Sequence, residues 1–181
     1  MTDKQPWHDC PIIWKDEKAY FNWLRGSVRR IWSKHPIRIT YKQSLRYKAP
    51  VGRYGKDVWV INCEMCGTPS RETQTDHIHG GYGFKDWQTF TEWSKMILWV
   101  TFDDIRELCV PCHEVVTLSQ KLKLSLEDAA IEKEVIVICK KKAKEIDMWL
   151  TARDTTSQKN PTARRNAVRE ALIKEKRHVC N

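Results

Sequence analysis

Three short stretches decide how this chain folds: CEMC at residues 63–66, TDHIHGG at 75–81 and DDIRELCVPCHEVVT at 103–117. Cys63/Cys66 and Cys109/Cys112 are two CxxC pairs with residues 67–108 between them. Each pair makes a tight knuckle that aims two sulfurs at one point. Two knuckles offer four thiolates, the donor set that tetrahedral zinc prefers. A closed four-Cys site leaves no position for water, so the expected structural Zn²⁺ on Cys63, Cys66, Cys109 and Cys112 is a staple and not a reagent. A folded segment must sit between pairs so far apart.

That segment carries another chemistry. Asp76 and His77 are adjacent, and neighbours on a strand point to opposite faces, so one can hold a metal while the other addresses a substrate. His113 follows the second knuckle directly, in the expected first turn of a helix. A carboxylate and a neutral imidazole suit Mg²⁺, Mn²⁺ or a transition metal. Coordination positions left to water and phosphate are what a catalytic centre needs. His79 reads as a loop histidine.

Charge is distributed unevenly around this centre. Residues 1–62 carry 13 Lys/Arg against 5 Asp/Glu, residues 63–139 carry 7 against 13, and residues 140–181 carry 12 against 5. The three nets, +8, −6 and +7, make the overall +9. An acidic metal-binding middle between basic flanks suits a protein that grips a polyanion. In a cytosolic chain, whose compartment keeps thiols reduced, the seven cysteines argue against a disulfide framework. No run approaches the ~18 apolar residues of a membrane span, and the start MTDKQPWHDC lacks a secretory signal. A cytoplasmic protein with no membrane partner is expected.

Outward from the centre, Tyr20, Leu24, Val28 and Ile31 recur at helical spacing and predict a helix over 16–34 that Pro36 stops. IRITY (37–41) alternates like a short strand, SLRYKAPVGRYGK (44–56) reads as a basic loop, and VWVINC (58–63) as a strand. FKDWQTFTEWSKMIL (84–98) looks like an inserted helix. SLED (125–128) has the form of a capping box that opens a helix running to about Leu150. Its seam is Ile136, Cys139, Ala143, Ile146 and Leu150, and it favours a monomer or a weak homodimer. TTSQKNPT (155–162) reads as a linker before a short basic tail helix. The expected divisions are 1–57, 58–121, 122–151 and 152–181. Trp59, Trp87, Trp93, Trp99 and Trp149 read as packing residues. Tyr47 and Tyr54 lie among cations, which suggests contact with a phosphate backbone. The expected DNA-binding residues are Arg25 and Arg29 on the first helix, Arg46, Lys48, Arg53 and Lys56 in the loop, and Arg164, Arg165 and Arg169 in the tail.

Taken together, CEMC…TDHIHGG…DDIRELCVPCHEVVT resembles the cysteine-bearing HNH (ββα-metal) endonucleases of the phage and homing type, over residues 58–118. The resemblance implies an α+β fold, a small ββα-metal core with a four-Cys zinc, here flanked by N- and C-terminal helices. It implies metal-dependent cleavage of double-stranded DNA, leaving 5′-phosphate and 3′-hydroxyl ends. His77 falls on the family's general base, and Asp76 and His113 on the ligands of the catalytic divalent metal. Asp104 takes the place of the family's middle asparagine, whose role is to orient the loop of the catalytic histidine. Two readings from other classes compete: a zinc-stapled DNA-binding module without catalysis, and a partner protein of a packaging machine.

Overall fold

The computed structural model describes residues 4–80, 83–156 and 159–179. Ser157 and Gln158 of the expected linker, and Gly81 of the TDHIHGG stretch, lie outside the described residues. Two compact units divide the chain, Met1–His113 and Glu114–Asn181.

The first unit opens with α1 (Pro6–Asp9) and α2 (Glu17–Ser33). Asp16 starts α2 by accepting the Ala19 N–H at 2.7 Å, satisfying one of the four free donors of a helix N-terminus. IRITY is not a strand: it lies in α3 (Pro36–Ser44). Proline at the first helical position has its φ already set and gives up no hydrogen bond the helix needs, so Pro36 opens a helix as well as ending one. The basic loop contains β1 (Tyr47–Ala49) and a 3-10 turn at Arg53–Gly55, then β2 (Val58–Asn62) follows and pairs antiparallel with β1. β3 (Pro69–Ser70) completes this three-stranded sheet.

β4 (Thr73–His77) and β5 (Ile105–Cys109) form a second antiparallel pair, with Asp76 opposite Arg106 and His77 opposite Ile105. Between them runs α4 (Trp87–Leu98), the expected inserted helix, started by a capping box of Asp86 and Thr89. α5 (Val110–Leu122) begins directly where β5 ends. The fold is therefore mixed α+β with small antiparallel sheets. Phe21, Val28, Phe84 and Trp93 form the aromatic-rich core on which α2 and α4 meet.

The second unit holds α6 (Leu126–Cys139), α7 (Ala143–Thr151) and α8 (Pro161–Val179). Ser125 caps α6 through the Asp128 N–H at 3.0 Å, the serine half of the box that SLED predicts, while the Asp128 carboxylate accepts the Ser125 hydroxyl at 2.8 Å. The helix expected to run to Leu150 is broken, however, at Lys140–Lys142. Lys142 is extended (φ −63°, ψ 148°) as the cap of α7, where continuation would have set Lys140 and Lys141 beside Lys144 at helical spacings of four and three. The break turns the seam: Val135, Ile138, Ile146 and Leu150 are buried, while Ala143 is exposed. The basic tail is also more than an arm. Ala167, Val168, Ala171 and Leu172 are buried, and three of them join the core with Val135 and Leu150.

The tryptophans divide. Trp93 is buried and Trp149 packs against the second core, but Trp59 is 51% exposed, Trp87 50% and Trp99 88%. Trp87 still makes ring contacts with Tyr20, Phe21 and Phe90. Among the described residues, no helix is long and apolar enough to cross a membrane.

Candidate functional site

The knuckles fold where strands end. After β2 the chain turns back, with the Gly67 N–H donating to the Cys63 carbonyl at 2.7 Å and the Cys63 N–H donating to Thr68 at 3.0 Å. Gly67 sits at φ +71°, which a side chain would resist. The second knuckle is the junction of β5 and α5. Glu64 locks the two together: its Oε1 accepts the Glu107 N–H at 2.6 Å, and its own N–H donates to the Glu107 carbonyl at 3.0 Å. The four sulfurs lie within 4.8 Å of one another, and Cys66 Sγ to Cys109 Sγ is 3.9 Å. Zinc–sulfur bonds of ~2.3 Å in a tetrahedron put sulfurs about 3.8 Å apart, so the cluster could hold a structural metal such as zinc. Hydrogen bonds from the Thr68 hydroxyl and backbone bring the Cys66 thiol down to about 6. Burial and the neighbouring sulfurs push Cys112 up, a crowding of negative charge that a dication would relieve.

Asp76 is buried and points from β4 toward Arg106 and His113. Arg106 donates through Nε to Asp76 Oδ2 at 2.9 Å, and its Nη2 lies 2.9 Å from the same oxygen as an ion pair. The other oxygen, Oδ1, lies 4.0 Å from His113 Nε2. Two bonds of ~2.1 Å would span that gap, so one ion could take both atoms. They are two donors only. Among the described residues, three or more metal donors gather only at the cysteines.

His77 occupies the opposite face. Its Nε2 donates to the Ile97 carbonyl at 3.1 Å, and its ring lies 4.3 Å from that of Trp32. Ile97 is in the last turn of α4, where carbonyls have no partner within the helix, so one is free to accept. Burial pulls the His77 pKa below its ordinary value, outweighing the Ile97 carbonyl and the nearby carboxylates. The imidazole borders an open cleft of about 500 Å³ whose walls include His79, Lys95, Met96, Trp99 and Asp104. Asp76 and His113 do not line this cleft. Asp104 works locally. Its carboxylate accepts the Thr101 N–H at 2.7 Å and hydroxyl at 2.8 Å, which holds its pKa low. Its backbone carbonyl accepts the N–H of Ile78, the residue after His77, at 2.9 Å.

The cations selected from sequence fall into two groups. Arg25 donates to the Phe84 carbonyl at 2.9 Å and lies over the Phe84 ring. Arg164 pairs with Asp147 at 3.0 Å, and Arg165 and Arg169 both clamp Glu132. These four hold the fold together. Arg29, Arg46, Lys48, Arg53 and Lys56 are exposed and have no carboxylate partner among the described residues.

Sequence reasoning passed over three elements. The first is Ile97, which contributes only a backbone carbonyl. The second is Arg106, which β4–β5 register brings onto Asp76. The third is Glu107, fully buried opposite Thr75, whose hydroxyl donates to it. Glu107 Oε2 has no hydrogen bond, and Lys42 Nζ at 3.6 Å balances its charge. The signal for Glu107 was present: in IRELC it shares the inward face of the strand with Ile105 and Cys109.

Comparison with protein-family models, with curated proteins and with solved structures finds no match to this chain.

Proposed function

We propose that this chain is a metal-dependent endonuclease of the HNH type. It would hydrolyse phosphodiester bonds of double-stranded DNA to 5′-phosphate and 3′-hydroxyl ends. The observation that carries the reading is the approach of Asp76 Oδ1 to His113 Nε2 at 4.0 Å, with the imidazole of His77 fixed on the other face of the same strand. β4 supplies Asp76 and His77, and α5 supplies His113, in the order that the resemblance implies.

His77 is suited to act as the base. With Nε2–H committed to the Ile97 carbonyl, Nδ1 keeps the lone pair, and the lowered pKa leaves the ring neutral near pH 7. It takes a proton from water, and the hydroxide attacks phosphorus in line with the 3′-oxygen, whose bond to phosphorus breaks. Asp76 and His113 would hold a divalent ion, which would draw charge from a phosphate oxygen and steady the leaving 3′-oxygen. Lys95 and His79 line the cleft that His77 borders, apart from Asp76 and His113. Asp104 serves as the positioning residue, through the Ile78 N–H. Zinc on the four cysteines would hold β2 and β5 in place and take no part in the chemistry.

One observation favours a second reading, DNA binding without cleavage. Arg106 already neutralises Asp76, and a carboxylate so paired can serve structure alone. Nicking of supercoiled plasmid by the zinc-loaded protein separates the two. Cleavage that needs added Mg²⁺ or Mn²⁺, stops with chelator and is absent in His77→Ala supports the nuclease. Binding with no cleavage under any of these metals supports the module.

A further inference from the structure

The β1–β2 hairpin carries an aromatic surface that the fold does not use. Trp59 is 51% exposed on β2, and its register partner on β1 is Lys48. The Arg46 guanidinium lies 5.5 Å and the Lys48 ammonium 5.6 Å from the indole centroid. Gln43, Arg46 and Trp59 line a hollow of about 260 Å³, below the ~300–1,000 Å³ of sites for drug-sized ligands and suited to one planar ring. Further along the hairpin, Tyr54 is 85% exposed, with Arg53 over its ring. It sits at φ +60°, a conformation that non-glycine residues rarely adopt. Residues 46–62 include Arg46, Lys48, Arg53 and Lys56 against Asp57 alone, a net of +3 (four less one).

A cluster of cations alone would describe any phosphate-binding surface. The exposed indole narrows the choice. In a duplex the base faces are hidden in the stack, so a flat aromatic side chain on a sheet gains little from them. An unpaired base has a free face, and it gains from an indole or a guanidinium plane. Gln43 adds an amide able both to donate to a base edge and to accept from it. We infer that Trp59, flanked by Arg46 and Lys48, is a stacking site for an unpaired base of a single-stranded nucleic acid. This goes beyond duplex cleavage, and the site contains none of the residues proposed for the chemistry, while Arg46 and Lys48 are also expected contacts to a duplex backbone.

The test reads binding and not cleavage. Fluorescence anisotropy of labelled oligothymidylate of about twelve nucleotides, of the matching oligouridylate and of a duplex is followed with the zinc-loaded full chain and no other divalent metal. Trp59→Ala should weaken single-strand binding by about five- to a hundredfold and duplex binding far less. Trp59→Phe should restore part of the loss. Arg46→Ala and Lys48→Ala should each lower the slope of log K against log salt by about 0.7 on the single strand. The two single strands show whether the sugar matters; the inference stands if either behaves this way. Equal losses on single strand and duplex, unchanged affinity on both, or no single-strand binding by the wild type would each overturn it. Thermal melting of both Trp59 variants shows whether a loss reflects unfolding: if Trp59→Ala unfolds, the folded Trp59→Phe must itself weaken single-strand binding, or the inference fails.

Discussion

The imidazole of His77 and the carbonyl of Ile97 are joined by a hydrogen bond of 3.1 Å, although 20 residues separate them in sequence. The bond makes Nε2 the protonated nitrogen and fixes the ring through the end of a helix. A base held this way can be removed without disturbing a ligand pair on the opposite face of the strand. His77→Ala should therefore lower cleavage by ~10²–10⁴-fold while leaving DNA affinity and Mn²⁺ binding in place. Asp76→Ala and His113→Ala should lose cleavage together with Mn²⁺ affinity. Calorimetric titration of Mn²⁺ into the zinc-loaded variants checks the division. Loss of Mn²⁺ by His77→Ala as complete as that by His113→Ala would make His77 a ligand and end its assignment as base.

The first knuckle is tied to β5 by the hydrogen bonds between Glu64 and Glu107, so the cysteines should matter beyond their own loops. Cys66→Ser and Cys109→Ser should each release the bound zinc and melt the first unit, since structural zinc supplies folding free energy directly. Zinc content by atomic absorption and near-ultraviolet circular dichroism report the two effects. A Cys109→Ser protein that kept its full zinc content and its wild-type melting curve would rule out the staple.

The four-Cys cluster was easy to read because its spacing is strict. The CxxC pairs and the Ser125 N-cap are local signals that packing does not override. The misreadings arose where local pattern and context compete. IRITY alternates like a strand, yet Pro36 before it presets a helix. Lys140–Lys142 break a seam whose periodicity runs straight through them. Trp59 and Trp99 are core-type residues that no core covers. Ile97 and Arg106 could not be found from sequence, since one acts through its backbone and the other through strand register.

The tail offers a sharp case of such a correction. Its charge suggests an arm on the surface, but Val168 is fully buried and Leu172 nearly so. Deleting residues 152–181 should therefore unfold the second unit, with loss of helical circular dichroism beyond the deleted segment's own share. A milder probe is Leu150→Ala, which should cost ~2–5 kcal/mol, as large-to-small changes in packed cores do. A Leu150→Ala protein as stable to urea as the wild type would show that α6, α7 and α8 do not share one core.

Glu132 supplies the pH dependence of the same unit. Burial by itself would raise its pKa, but Arg165 and Arg169 outweigh burial and hold it below its ordinary value. A carboxylate with a depressed folded pKa stabilises the fold above its unfolded value of about 4.5, and the contribution fades as pH falls through the folded value. Glu132→Gln should therefore cost about 1–2 kcal/mol at pH 7. That lies at and just below the low end of the ~1.5–3 kcal/mol range for hydrogen bonds to charged groups, because both arginines stay in contact with water. The gap between wild type and variant should narrow steadily from pH 5 downward as the wild-type carboxylate takes up its proton. Urea titrations of both proteins at pH 7, 5, 4 and 3 measure that gap directly. A gap of the same size at every pH would mean that Glu132 stabilises the unit by shape and neutral hydrogen bonds, with no part played by its charge.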